Sequence, residues 1–172
     1  MKSHDERIIA IDLRGYSFAF AVFEGPDRLL DWGARSFRRG VNAVKIPAGE
    51  KLAALLDYYS PDAVVIRVRT GDHDARRHEM RETLLGEAAK HGVPTRLLTR
   101  RAVKDAFAGA RRNKYTIAAA LAERLPELAP VLPTAHKLWV SEEYILSVFD
   151  AAATGIAYFN HSQSVPPPSA QV

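Results

Sequence analysis

The chain has 172 residues, of which 47% are hydrophobic and 26% charged, with a formal net charge of +4 and a pI near 9.5. This length supports one hydrophobic core, so we expect a single domain. The sequence contains no cysteine, which excludes disulfides and thiolate metal sites, and no apolar run approaches the roughly 20 residues that span a bilayer. We therefore expect a soluble, cytoplasmic protein without a membrane partner, whose positive charge mildly favours an anionic partner.

The first half of the chain predicts most of a sheet. Residues 7–13 form an almost continuous apolar run, typical of a strand covered on both faces, and residues 16–23 alternate large and small apolar side chains. After a Gly-Pro-Asp turn, residues 28–37 complete an antiparallel meander. A proline predicts the start of a helix over residues 47–59. Residues 62–67 then predict a short buried strand, parallel to the first because a helix separates the two.

The second half of the chain is predicted to be mainly helical. A polar helix is expected over residues 74–90, with Gly92 as its C-terminal cap, and a last short strand over residues 95–98. The proline-rich residues 126–138 predict a stiff loop. The remaining helices are expected over residues 99–108, 114–125 and 140–159.

Together these elements predict an α/β fold with a mixed five-stranded sheet flanked by helices. Antiparallel strands 1-2-3 come first, and helix-connected parallel strands follow. Right-handed crossovers place the fourth strand beside the first, with their carboxyl ends at one edge, where ligands bind in such sheets. Residues 1–160 are predicted to form the domain, and residues 161–172, rich in proline and serine, a disordered tail.

Asp12 is a carboxylate within the first apolar strand. Burying an unpaired charge costs several kcal/mol, so this side chain must be paired, bind a metal or point into a cleft. A local interpretation is that Asp12 caps the following turn or pairs with Arg14. The alternative is a functional site at the edge of the sheet.

The order of these elements resembles the RNase H-like fold and, within it, the RuvC-type Holliday-junction resolvases. The resemblance covers residues 7–160 and is carried by three segments: Ile-Ile-Ala-Ile-Asp ending at Asp12, Asp-Ala-Val-Val-Ile-Arg ending at Arg67, and Phe-Asp-Ala-Ala-Ala containing Asp150. In that family, four acidic or acid-equivalent positions hold two Mg²⁺ ions, which activate water and stabilise the leaving oxygen of a cleaved phosphodiester. The resemblance implies that Asp12 and Asp150 are catalytic and bind the metal, with Mg²⁺ or Mn²⁺ as cofactor.

The other two ligand positions depart from the family pattern. Arg67 stands where the fourth strand should end in a glutamate, and Ser147 stands three residues before Asp150, where the family has another ligand. An arginine beside Asp12 can neutralise it and displace metal. The departure therefore puts ordinary two-metal chemistry in question.

Three acids are candidates for replacement ligands. Asp72 and Asp74 follow the fourth strand, and Glu143 lies seven residues before Asp150. Seven residues span roughly 10 Å along a helix, whereas paired catalytic ions lie about 3.5–4 Å apart. Glu143 is therefore expected to reach a basic residue or a substrate-side water rather than share a metal with Asp150. A simpler explanation is that Glu143 lies in the first turn of a helix, where acids are favoured.

Basic residues concentrate between residues 96 and 114, where seven positive charges are opposed by one aspartate. Such a segment is typical of a surface that contacts phosphates, and a solvated basic face is the alternative. Tyr16 and Tyr115 are candidates to stack on bases or to lie at the edge of the core. A second arginine group, at positions 67, 69, 76, 77 and 81, is interleaved with acids that are expected to pair with many of its members. The predicted nucleic-acid-binding residues are Arg100, Arg101, Lys104, Arg111, Arg112 and Lys114.

Two functions follow from the resemblance. One is a RuvC-like nucleic-acid-processing protein that acts on branched DNA as a Mg²⁺-dependent phosphodiester endonuclease; a resolvase that cuts two strands symmetrically is expected to be a C2 homodimer. The other is a catalytically degenerate relative that uses the fold as a nucleic-acid-binding or protein-binding module. The actin-like ATPases share an Asp-bearing first hairpin, but this chain lacks their glycine-rich turn. Whether the protein is an enzyme is left open, and a pairing of Arg67 with Asp12 would favour the binding module.

Overall fold

The computed structural model describes residues 5–37, 41–69, 71, 73–107, 113–132 and 142–164. Its strands are β1 (Arg7–Arg14), β2 (Ser17–Glu24), β3 (Leu29–Ser36), β4 (Ala63–Val68) and β5 (Thr95–Thr99). Its helices are α1 (Val41–Tyr59), α2 (Ala75–Lys90), α3 (Arg100–Asp105), α4 (Lys114–Arg124) and α5 (Glu142–Ser164), with a 3₁₀ helix at Pro126–Val131. None of the described helices is both long and apolar enough to cross a membrane.

The five strands form one mixed sheet in the order β3-β2-β1-β4-β5. β1 pairs antiparallel with β2 and parallel with β4, so the predicted sheet and the predicted neighbourhood of the first and fourth strands are confirmed. In the β1–β4 register, Asp12 lies directly beside Arg67. The carboxyl ends of β1, β4 and β5 therefore share one edge of the sheet, where α2 and α3 begin.

Both faces of the sheet are covered, which explains the continuous apolar run of β1. Ile8 packs in a core with residues of α4 and α5 on one face. Ile9 and Ile11 pack in a second core with residues of α1 and α2 on the other. Because side chains alternate along a strand, the residues that share a face with Ile8 point toward α5.

Helix α5 lies very close to β2. A Cβ atom at Gly155 would stand 2.4 Å from a ring carbon of Phe23, a distance that real Cβ contacts do not reach. Ala151, Ala152 and Ala153 are also buried on the sheet side. The small residues of this helix therefore permit its close packing on the sheet.

Three element boundaries differ from the predictions. Helix α1 begins at Val41, so Pro47 lies inside it rather than at its start; a proline removes one helical hydrogen bond but does not forbid the helix. Residues 126–131 form a 3₁₀ helix instead of a loop, because Pro126 stands at the helix start, where its missing N–H is not needed. Helix α5 continues to Ser164, past the predicted helix end at residue 159, and residues 165–172 of the predicted tail lie outside the described residues.

We expect the substitution Gly155→Ala to destabilise the protein by about 1–3 kcal/mol, the usual cost of overpacking a core. The matched control is Gly86→Ala in α2, where an added Cβ meets no atom within 4 Å. The control should gain up to about 1 kcal/mol from helix propensity. Urea unfolding of both variants measures the difference, and equal stability of the two would show that α5 does not press on Phe23.

Candidate functional site

Three charged side chains at the ends of β1 and β4 share one face of the sheet. Asp12 and Arg14 are two residues apart in β1, and Arg67 is the register partner of Asp12 in β4. Ile8 and Val65, on the same faces of these strands, pack in the core that contains α5 residues. The alternation of the strands therefore directs all three charged groups toward α5.

Asp12 is held by two arginines. Arg67 donates to its Oδ1 from Nε at 2.9 Å and from Nη2 at 2.5 Å, and Arg14 donates from Nε to its Oδ2 at 3.1 Å. The aspartate is 1% exposed, so this charge is compensated by hydrogen-bonded cations instead of by water. The predicted pairings of Asp12 with Arg14 and with Arg67 are both confirmed.

Asp150, on α5, contacts the same two arginines. Its Oδ2 accepts from Arg14 Nη2 at 3.1 Å and from Arg67 Nη2 at 3.4 Å. Arg14 and Arg67 thus bridge two carboxylates that come from opposite ends of the sequence. The two aspartates that the resemblance implies as metal ligands are therefore held by one pair of guanidinium groups, and Arg14 was not expected to reach Asp150.

The charges at this centre influence one another's proton affinity. Burial lowers the pKa of Arg67, but the carboxylates of Asp12 and Asp150 outweigh burial and raise it above the ordinary arginine value. Burial raises the pKa of Asp150; Arg67 opposes this effect and the nearby Asp12 adds to it. The guanidinium of Arg67 therefore remains charged at every physiological pH.

This arrangement does not fit a two-metal centre. Both oxygens of Asp12 and Oδ2 of Asp150 accept hydrogen bonds from guanidinium groups. Mg²⁺ requires a near-octahedral set of oxygen ligands at about 2.0–2.1 Å. Among the described residues, no three His, Asp or Glu side chains are grouped so that they could hold an ion. Ser147, at another ligand position, is buried and donates its hydroxyl to the Tyr144 carbonyl at 2.6 Å.

Of the three candidate replacement ligands, the structure describes the side chain of Asp74 alone. Asp74 caps α2: its Oδ1 accepts from the Arg76 backbone N–H at 3.0 Å, and its Oδ2 lies 3.5 Å from Arg77 Nε. Asp72 lies outside the described residues, as does the side chain of Glu143, whose backbone is in the first turn of α5. Asp74 therefore has a structural role that needs no metal.

Two cavities open beside the arginine-carboxylate centre. A small polar cavity of about 60 Å³ lies between the ends of β1 and β4 and the start of α2, and its walls include Arg67 and Arg81. A larger cleft of about 480 Å³ is lined by Arg14 and by polar groups of β2, β3 and α5. Arg69 and Arg77 line both spaces. The sequence did not predict this junction, because these arginines were expected to pair with interleaved acids.

Arg69, which lines both cavities, has no ion-paired carboxylate among the described residues. No hydrogen bond or ion pair is found for its guanidinium within that part of the chain. Burial, and then the positive charges of Arg77 and Arg67, lower the pKa of Arg69, and the carboxylate of Asp12 opposes this shift more weakly. The guanidinium therefore stands in a positively charged environment.

The predicted nucleic-acid-binding residues fall in two places. Arg100 is the first residue of α3, at the same sheet edge, and its charge lowers the pKa of Asp150, as the charges of Arg67 and Arg14 do more strongly. Arg101 is exposed and lies 3.8 Å from Asp105. Lys104 is half-buried in α3, Lys114 begins α4 with its amine over the Tyr115 ring, and Arg111 and Arg112 lie outside the described residues.

The two candidate stacking residues each carry a cation on the ring. Arg76 lies over the Tyr16 ring at 4.9 Å from the ring centre, and Lys114 lies 5.3 Å from the centre of the Tyr115 ring. Tyr115 remains 45% exposed. Base stacking by Tyr16 and Tyr115 stays a prediction.

No protein-family model and no curated protein sequence matches the chain. Solved structures share its fold. RuvC of Thermus thermophilus aligns in two structures, one in complex with a Holliday junction substrate, with TM-scores of 0.73 and 0.70 at 16% and 18% identity, over 92% of this chain and 96% of RuvC. The fowlpox virus resolvase, in complex with Holliday junction DNA, aligns with a TM-score of 0.54 at 14% identity, over 91% of this chain and 98% of the resolvase. The mixed sheet and its helices are thus an RNase H-like fold, as the sequence predicted.

We expect Arg67→Met to destabilise the protein by about 3 kcal/mol, the low end for a broken buried ion pair, because Arg14 still contacts Asp12. Adding Asp12→Asn should restore part of the loss, since no buried charge then lacks its partner. Urea unfolding of the wild type, both single variants and the double variant gives the coupling energy, which should exceed about 1 kcal/mol.

The control for this cycle is Arg124→Met, which breaks an exposed pair with Asp27. Its effect should stay within about 0.5 kcal/mol. A coupling energy near zero between Asp12 and Arg67 would contradict the ion pair described above.

Proposed function

We propose that this protein binds nucleic acid through the arginine-rich edge of an RNase H-like fold and does not cut it by two-metal chemistry. The observation that carries the proposal is the buried Arg67 guanidinium, which bridges Asp12 and Asp150. An ion shared by these two carboxylates would have to displace that guanidinium. Breaking a buried ion pair in this way costs about 3–5 kcal/mol.

The larger cleft supports a polyanionic ligand. Arg14, Arg69 and Arg77 line it together with the side chains of Ser17 and Tyr144. Guanidinium groups bind phosphate oxygens with paired, charge-assisted hydrogen bonds, and hydroxyl groups are common partners of the sugar-phosphate backbone. A chain of phosphates therefore suits this cleft better than an uncharged ligand.

The two carboxylates have a positioning role in this proposal. Asp12 and Asp150 hold the guanidiniums of Arg14 and Arg67 in fixed orientations before any ligand arrives. Restricting long side chains in advance lowers the entropy lost on binding. Arg100, at the start of α3, extends the positive surface along the same edge.

Branched DNA is the first ligand to test, because RuvC and the fowlpox resolvase were both solved with Holliday junctions. The competing function is a metal-dependent endonuclease on such DNA. It is supported by the meeting of Asp12 and Asp150 at the sheet edge. The two functions differ in their dependence on divalent metal and in their products.

We expect the wild type to bind four-way junctions and duplex DNA. For each DNA, the affinity in EDTA should equal the affinity in Mg²⁺, and no cleavage products should appear. Binding should weaken with salt, and the double variant Arg100→Gln/Arg101→Gln should reduce the log-affinity slope by about 0.9 for each phosphate that it no longer neutralises. Arg124→Gln, on a different surface, is the control. Strand cleavage in Mg²⁺ or Mn²⁺, or binding that requires the metal, would overturn the proposal.

The substitution Arg67→Glu should create the missing metal site. Three carboxylates would then meet and repel one another unless a cation intervenes. Calorimetry should detect Mg²⁺ or Mn²⁺ binding to this variant, and the metal should raise its melting temperature while leaving the wild type and Arg67→Gln unchanged. If Arg67→Glu gains no metal affinity, Asp12 and Asp150 are not a latent metal pair; tight binding of two ions by the wild type would favour the nuclease.

A further inference from the structure

The small cavity beside the centre has room for a compact polar group. Its volume is about 60 Å³, and it lies between the ends of β1 and β4 and the start of α2. A buried water needs about 10–15 Å³ on this scale, so the space accommodates roughly four to six atoms of that size. This matches a phosphoryl group and excludes a nucleobase or a sugar.

The walls of the cavity carry an excess of positive charge. Arg67, Arg69, Arg77 and Arg81 line it, against only Asp12 and Asp74. Four positive and two negative charges leave a net charge of +2 when His78 is neutral. Including Arg14 and Asp150, which belong to the same network, does not change this balance. Within the described residues, the excess thus equals the charge of a phosphate monoester dianion.

Donors for such an anion are present in the walls. Arg69 makes no hydrogen bond or ion pair with any other described residue. The Nε of Arg81 is buried and donates no hydrogen bond; the Oε1 of Glu82 lies 3.7 Å from it. Arg81 Nη2 lies 2.8 Å from His78 Nδ1, which fixes the direction of the guanidinium. Buried donors are normally satisfied, so an unsatisfied one in a polar cavity points to a ligand.

We propose that this cavity is a phosphoryl pocket that binds one phosphate dianion. A terminal phosphate of a nucleic acid and inorganic phosphate present the same chemistry to the pocket. A terminal monoester carries about −1.5 to −2 charges at neutral pH, whereas an internal phosphodiester carries one. The pocket therefore discriminates in favour of a phosphorylated end.

The position of the pocket agrees with a nucleic-acid end. Arg69 and Arg77 line both the small cavity and the larger cleft. A terminal phosphate seated between them leaves the adjoining nucleotides in the larger cleft, beside Arg14 and Tyr144. The assignment of the ligand to a nucleic acid rests on the proposed function. The inference adds that the recognised part of the nucleic acid is a phosphorylated end.

The test compares single-stranded oligonucleotides of one sequence that carry a 5′-phosphate, a 3′-phosphate or no terminal phosphate. Fluorescence anisotropy, with the dye at the opposite end, gives the affinities in EDTA. One of the phosphorylated ends should bind at least about tenfold more tightly than the unphosphorylated oligonucleotide, because charge-assisted hydrogen bonds are gained. Arg69→Gln and Arg81→Gln should each abolish this preference.

The matched control is Arg76→Gln, which removes the same charge from α2, the helix that also carries Arg81. Arg76 does not line the cavity and lies over the Tyr16 ring. It should lower affinity for all three oligonucleotides equally and keep the preference for the phosphorylated end. Because two independent variants are tested, a folding defect in one does not remove the test.

Thermal melting with inorganic phosphate, against chloride at equal ionic strength, separates the two sources of the ligand. A rise in melting temperature that is lost in Arg69→Gln, without any preference for phosphorylated ends, assigns the pocket to free phosphate. The same rise in a protein that binds no oligonucleotide keeps the pocket and overturns the proposed function. Oligonucleotide binding with neither end preference nor phosphate stabilisation overturns the pocket alone.

Discussion

The ion pair between Asp12 and Arg67 is the interaction on which the site depends. Asp12 stands in the central strand, with almost no exposure, and a carboxylate in that position needs a cation. This chain meets that need with Arg67, the residue beside Asp12 on the neighbouring strand. The centre is thereby assembled during folding, and further arginines at the sheet edge, Arg69 and Arg77, line the two cavities beside it.

The fold could be predicted because the spacing of apolar residues indicates each strand, and the order of strands and helices indicates how the strands pair. The strand that is covered on both faces, the meander and the helix-linked fourth strand each have a local pattern. Two of the three misplaced boundaries have a common cause. Pro47 and Pro126 were interpreted as signals that start a helix or prevent one, whereas the surrounding packing tolerates Pro47 inside α1 and uses Pro126 at a 3₁₀ start. Tertiary contacts decide whether a helix begins or continues at such a proline, and a rule based on neighbouring sequence includes no tertiary contacts.

The candidate site was only half visible in the sequence. The contact of Asp12 with Arg67 follows from strand neighbourhood, which the topology predicts. The bridge from Arg14 to Asp150 joins residues 136 positions apart and depends on how α5 packs. The cavity arginines were missed for a different reason: charge alternation along a helix suggests pairing, but the direction of each side chain determines whether a carboxylate is within reach. Arg77 is close to Asp74, whereas Arg69 lies past the strand end without such a neighbour in the described chain.

The close contact of Gly155 with Phe23 links the hydrophobic core to this charged centre. Gly155 and Asp150 are five residues apart on the same helix. The contact of Gly155 with the ring of Phe23 therefore limits how closely α5 approaches the sheet, and with it the position of the Asp150 carboxylate. A slide of α5 along its axis by about 1.5 Å, the rise of one residue, would be enough to break the 3.1 Å hydrogen bond between Asp150 and Arg14. The packing of the hydrophobic core therefore fixes the position of Asp150 relative to Asp12. Substitutions of core side chains such as Phe23 would also change the geometry of the charged site.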